Sequence, residues 1–346
     1  MTWLTWRQFR PQAVTSLAAL AAFAILLGAT GPHLASMYAS SGITACQGQA
    51  CNRPAGTFLG QASGVDTLVF TLGFAAVILA PALIGVFWGA PLIAREFETG
   101  TFRMAWTQSI TRTRWVVAKL ALPGLGAIAV TEGLSLMYGW WAAPIGQAAR
   151  LAPADSFPLG MGPFSLLAFD AHGVVPIGYA AFGFTLGVTT GVLFRRALPA
   201  MAVTLAIFAV FQVVMPLAIR PNLFPPAHIT QSLDQNFSGQ QSMGSGGHFT
   251  FTLDYIDSEP GAWILSSEAV NAAGQPVSVL PAACAHAAAS TGDPTQCLAS
   301  KGIGIAVTYQ PSSRYWPIQW TETGIYLALA LALAGFCYSR LGRRLP

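Results

Sequence analysis

The sequence predicts an all-α polytopic membrane protein of six transmembrane helices, with a small disulfide-containing α+β extracellular domain between the fifth and sixth spans. Three observations predict it. Hydrophobic residues make up 53% of the chain and charged residues only 9%, against roughly 25% charged in an ordinary soluble protein, and the mean hydropathy is +0.54. Six apolar stretches, near 13–33, 67–93, 116–143, 174–194, 197–219 and 323–340, approach or exceed the roughly 20 residues a helix needs to cross the hydrocarbon layer. The long polar interruption at 220–322 carries a cysteine pair and the period of β-strands.

The elements follow in chain order. Residues 1–12 mix Trp3, Leu4, Trp6 and Phe9 with Arg7 and Arg10 ahead of Pro11, which predicts a helix lying in the inner interface. The basic start, the apolar run and the small residues at 34–40 imitate a cleavable signal, but the run is long for one and is read as a retained span. Residues 13–219 hold spans one to five. The second and third are overlong and contain Pro81 and Pro123, so tilt, a kink or a break is expected in them. Gly85 and Gly89 in the second span, and Gly183, Gly187 and Gly191 in the fourth, form small-xxx-small rows that allow close helix packing within one bundle. Residues 323–346 are the sixth span and a basic tail.

Basic residues set the orientation. Of 17, 12 flank alternate span ends: Arg7, Arg10, Arg95, Arg103, Arg112, Arg114, Lys119, Arg195, Arg196, Arg340, Arg343 and Arg344. The other five are diluted over three longer loops, so both termini are expected in the cytoplasm; two lysines against 15 arginines, with abundant alanine, hint at a GC-rich bacterial genome and so at a bacterial plasma membrane. Tryptophans fall at predicted interfaces on both sides, Trp263 excepted. Cys46 and Cys51 share the first outer loop, and Cys284 and Cys297 the last, where disulfides persist. Cys337, alone in the sixth span, reads as a packing residue. In the outer segment, Phe249, Phe251, Leu253 and Tyr255 alternate with polar residues, as do Ile303, Ile305, Val307 and Tyr309, predicting at least two strands.

Chemistry is sparse. The net charge is +4 with no basic run of five, which excludes nucleic-acid binding. No HExxH pair or GxSxG elbow occurs, and no metal or catalytic residue is expected. The acidic group Asp254, Asp257 and Glu259 reads as a solvated strand end. Lys119 and Lys301 are the only lysines and neither follows a glycine, so there is no phosphate loop and any ATP dependence belongs to a partner. Within the apolar spans the ionisable group that stands out is Glu132, which would cost ~2–3 kcal/mol charged against lipid. It is expected to face a cavity or helix interface, either as a hydrogen-bonded packing residue or as a polar contact on a substrate or proton path.

The segment 94–119 is dense in charge and aromatics, with acids first and arginines last. Glu98-Thr99-Gly100-Thr101 and the later Ser109-Ile110-Thr111-Arg112, with Lys119 beyond, resemble the inner loop of type-2 permeases of ATP-binding-cassette exporters. There the second motif begins with proline, where this chain has Ser109. The six-span plan and the short turn at Arg195-Arg196 agree, and residues 308–320 look like a stretch of actinobacterial permeases. The resemblance implies a transport subunit rather than an enzyme, paired with a second permease chain, identical or related. It also implies a separate ATPase subunit that holds ATP and Mg, this chain binding no cofactor of its own. It assigns 94–119 as the coupling helix that seats in the ATPase, with Glu96, Glu98, Gly100, Thr101, Arg103 and Arg112 in that role. Export of an amphiphilic or hydrophobic substrate, a lipid, drug or peptide, is part of the same implication. Two other readings stand beside it: an ion-coupled carrier, for which Glu132 is a thin basis, and a membrane-anchored outer binding or sensor module.

Overall fold

The computed structural model describes residues 2–46, 48–62, 64–100, 112–151, 164–233, 239–243, 249–253, 261–284 and 295–343. Its described residues include six helices long and apolar enough to cross a membrane, with spans Phe9–Ser40, Val65–Thr99, Val117–Ala149, Val175–Phe194, Ala197–Asn222 and Ser312–Leu341. Each overlaps a predicted apolar stretch, and all but Val175–Phe194 extend past it at one end or both.

Helix α1 runs Thr2–Ser40. The helix is continuous through Pro11, and the apolar span within it begins at Phe9. Phe9 explains its anchoring, since it is buried edge-on to Trp88 at 5.1 Å between ring centroids. A disulfide joins Cys46 to Cys51, ahead of the short helix α2, Asn52–Gln61. Buried Phe58 of α2 meets Tyr38 edge-on at 5.4 Å, folding α2 back onto the end of α1.

The second span is built of α3 (Val65–Ile84), one π turn (Gly85–Gly89) and α4 (Ala90–Thr99). Pro81 withholds a backbone donor and crowds the preceding turn, and the wide turn follows it. Helix α5, Arg112–Ala149, accommodates Pro123 and Pro144 without a break. After α6, Leu166–Ala171, comes α7, Val175–Phe194, the most buried of the spans. Its glycine row packs directly on the π turn. A Cβ on Gly183 would lie 2.6 Å from the carbonyl oxygen of Pro81, and Cβ atoms on Gly187 and Gly191 would run into the carbonyls of Gly85 and Ala90. These glycines are therefore a backbone-to-backbone seam inside one chain. Helix α8, Ala197–Val214, is prolonged by a π turn at Met215–Ile219 and a tight turn at Arg220–Asn222.

The following residues form an antiparallel sheet of order β1-β5-β4, with β1 at Ala227–Ser232, β4 at Trp263–Val270 and β5 at Gly304–Gln310. A separate hairpin pairs β2, Gly239–Met243, with β3, Phe249–Leu253. The small helix α9, Thr295–Ser300, and the Cys284–Cys297 disulfide cover the sheet, with Cys284, Leu298, Ile305 and Val307 in its core. Helix α10, Tyr315–Arg343, closes the bundle. The sheet and the helices meet through rings: Trp263 stacks on Phe164 at 5.8 Å, and Tyr315 stands edge-on to Phe164 and Phe169 at 5.6 and 5.3 Å.

Candidate functional site

The predicted coupling segment begins where α4 ends. Gly100 terminates that helix with φ +70°, a left-handed position at which a side chain would be strained. Glu96 forms an ion pair with Lys119 of α5, and Lys119 is buried. The second carboxylate oxygen of Glu96, Oε2, is buried without a hydrogen-bond partner. Glu98 reaches the other way: its Oε1 accepts from the backbone N–H of Ala197 at 2.8 Å. That N–H opens α8, so the carboxylate caps a helix start and complements its dipole. Arg195 sits in the α7–α8 turn with φ +53°, its guanidinium 5.6 Å from the Phe97 ring centroid. The structure thus brings Glu96 and Glu98 into contact with two further spans. Thr101 and Arg103 lie outside the described residues; Arg112 begins α5, but its side chain lies outside them too.

Glu132 lies in the middle of α5, half-buried, with Oε2 unpartnered. Leu125, Leu136 and Trp140, at 67%, 64% and 66% exposure, are spaced from it so as to share one helix face. Glu132 thus lies beside a stripe of α5 that the other described helices leave largely exposed, with its own Oε2 buried.

At the opposite end of the bundle is a buried charged cluster that sequence reasoning missed. Arg220, fully buried, donates through Nε to Glu322 Oε2 at 2.8 Å and through Nη2 to Glu322 Oε1 at 3.0 Å. The same Nη2 pairs with Asp170. The Tyr179 hydroxyl stands 3.0 Å from Asp170 Oδ1 and 2.7 Å from Glu322 Oε1, and donates to one at a time. Phe169 lies under the guanidinium, 4.1 Å from centroid to Cζ. Burial pushes the Asp170 carboxyl up to about 6 from the ordinary aspartate value; Glu322 pushes the same way and Arg220 opposes. One cation thus holds α6, the end of α8 and α10 together, with α7 supplying the hydroxyl.

Two glutamines extend this bracing. Gln319 Oε1 accepts from the N–H groups of Val174 and Val175 at 3.1 Å each, capping α7, while its Nε2 donates to the carbonyls of Phe169 and His172 at 3.1 and 3.0 Å. Gln310 of β5 donates to the carbonyls of Pro221 and Phe224 at 3.2 and 2.7 Å, and accepts from Arg314 at 2.7 Å. In the sequence Arg220 opens the long polar stretch after the fifth span and Glu322 directly precedes the sixth apolar stretch. The available signal was that each lone charge abuts an apolar run at the same end of neighbouring spans.

These polar groups hold helices to one another. Among the described residues no three His, Cys, Asp or Glu side chains form a metal site. The six apolar helices and this internal bracing define a multi-pass membrane protein. The family model described as ABC-2 membrane transporter related matches residues 17–220, more than half of the chain, and the chain belongs to that family. Membership makes it a membrane transport subunit and implies an ATPase partner. No curated protein and no solved structure gives a match.

Proposed function

We propose that this chain is the permease subunit of an ATP-driven exporter for an amphiphilic or hydrophobic substrate, energised by a separate ATPase that docks on segment 94–119. The observation that carries the reading is the pair of links at the end of α4. Glu96 ties α4 to α5 and Glu98 ties it to α8, so force applied beyond Gly100 reaches the second, third and fifth spans together. ATP and Mg belong to the partner. In this reading both termini and the coupling segment face the cytoplasm of a bacterial plasma membrane, and 220–322 forms the outer domain. A second permease chain lies beside this one, and the exposed side chains of α5 beside Glu132 support a substrate path between the chains there.

The test is purification of the tagged full-length chain from its native membrane in mild detergent. A co-purifying soluble protein with a phosphate loop, and ATP hydrolysis in the eluate, are the expected result. Glu98→Arg and Arg112→Glu should each lose that partner while still inserting. A chain that purifies alone under cross-linking, or both variants retaining the ATPase, would overturn the reading.

A further inference from the structure

A cavity of about 230 Å³ opens between the start of α1, the end of the second span and the start of α5. Phe9, Leu92 and Pro123 give it apolar walls, and Gln12 and Arg95 bring polar side chains to it. Arg95 is exposed and Gln12 half-buried, and neither side chain has a partner among the described residues. Both carry N–H donors. Glu96 also borders the cavity, but its Oε1 is taken by Lys119 and its Oε2 is buried away from solvent. That acid and that base cancel, so the uncompensated charge at the cavity is the Arg95 guanidinium.

The level of the cavity sets which anion reaches it. Phe9 begins the first apolar span, Val117 begins the third and Thr99 ends the second, so the cavity lies where hydrocarbon gives way to headgroups. Val14 and Leu17, further into the first span, are 56% and 63% exposed and offer apolar chains a face to lie on. The volume is below that of a drug-sized pocket, with room for a phosphate and the carbons next to it rather than for a whole amphiphile. Among side chains, a guanidinium matches a phosphate through paired N–H groups.

We propose that this cavity binds the phosphate of an anionic phospholipid, the phosphate oxygens accepting from Arg95 and Gln12 and the acyl chains lying along the exposed face of α1. A zwitterionic headgroup carries its own cation beside the phosphate, which Arg95 repels, so net charge decides between the two. The site rests on membrane placement and not on ATPase docking. Bound there, the lipid would link α1, whose span is the least buried of the six, to α4 and α5.

The test is native mass spectrometry of the purified full-length chain, delipidated and reloaded from an equimolar mixture of phosphatidylglycerol and phosphatidylcholine of matched acyl chains. The glycerol lipid is expected to be held about tenfold more tightly, the scale of one charge contact near a protein surface. Arg95→Gln should bring the two lipids level, and Leu92→Trp, which fills the cavity and leaves every charge in place, should do the same. Arg196→Gln removes an exposed charge that does not border the cavity and should leave the preference intact. Equal retention by the unaltered chain, a preference that survives Arg95→Gln or a folded Leu92→Trp, or one that Arg196→Gln lowers as far as Arg95→Gln does, overturns the proposal. Displacement of the bound lipid by inorganic phosphate overturns it too, since that marks a site for the free anion. Should Leu92→Trp fail to fold, the two arginine variants decide.

Discussion

Replacing Arg220 with methionine tests whether the buried cluster holds the bundle together. The guanidinium is fully buried, bonded to two carboxylates that are themselves 5% and 0% exposed at Asp170 and Glu322. Removing one partner of such a group leaves uncompensated buried charge, a loss of ~3–5 kcal/mol. An escape bounds the figure, because Asp170 can take a proton, which at pH 7 costs roughly 4 kcal/mol relative to an ordinary carboxyl. That escape becomes easier by ~1.4 kcal/mol for each pH unit of acidification, so the variant's deficit should shrink at pH 5. A triple variant, Arg220→Met with Asp170→Asn and Glu322→Leu, removes the charges together and should recover most of the loss. Cys337 is a free thiol at 1% exposure; its labelling during denaturant titration of the detergent-solubilised chain reports unfolding. A single variant within ~1 kcal/mol of the parent, or a deficit equal at pH 5 and pH 7.5, would refute the assignment of the cluster as a charged clamp.

Three further outcomes follow from the same structure. Gly187→Val drives a side chain into the Gly85 carbonyl and should abolish accumulation of folded protein in membranes, whereas Gly146→Ala, with nothing within 4 Å of the added carbon, should change stability by less than ~1 kcal/mol. The raised Asp170 carboxyl binds its proton more tightly folded than unfolded, so its contribution to stability is greatest below about pH 4 and is lost as pH rises towards about 6. The loss is at most ~3 kcal/mol, and Asp170→Asn should flatten that part of the unfolding profile. Replacing Cys284 and Cys297 with alanine removes a cross-link closing a 13-residue separation, worth ~3 kcal/mol in the chain-entropy model; faster proteolysis within 227–310 is the expected readout.

The bundle was legible because membrane spans are written in composition: each predicted stretch overlaps one of the six apolar helices almost end to end. The ends were less legible, since polar residues that belong to a span look like loop when read one at a time. Gln319 and Glu322 were placed ahead of a span starting near 323, yet α10 begins at Tyr315 and uses both to cap and clamp its neighbours. Among the strands, β3 and β5 show alternation in the sequence, while β1, β2 and β4 do not. His228, Gln231 and Ser232 interrupt any apolar period in β1, whose polar face needs only β5 beside it. Trp263 fitted no interface because its partner is Phe164, a contact between distant segments that no local pattern encodes. In the coupling segment the acids were found by resemblance, but their partners, Lys119 and the N–H of Ala197, required the fold.

Helix α7 explains why links at opposite ends bear on one another. Its glycine row meets the π turn and α4 backbone to backbone, leaving no flexible side chains to absorb relative sliding, so the second span and α7 behave as one body. What the neighbours do when that body moves depends on the polar links. At the coupling end the exposed Glu98 cap on α8 is worth about 1 kcal/mol, while at the other end the Arg220 cluster costs several times that to part. In the proposed reading, a displacement of α4 would break or rotate the Glu98 contact first, freeing the start of α8 while the end of that span stays pinned to α6 and α10. The solvated link would then yield before the buried one, and the fifth span would pivot about Arg220.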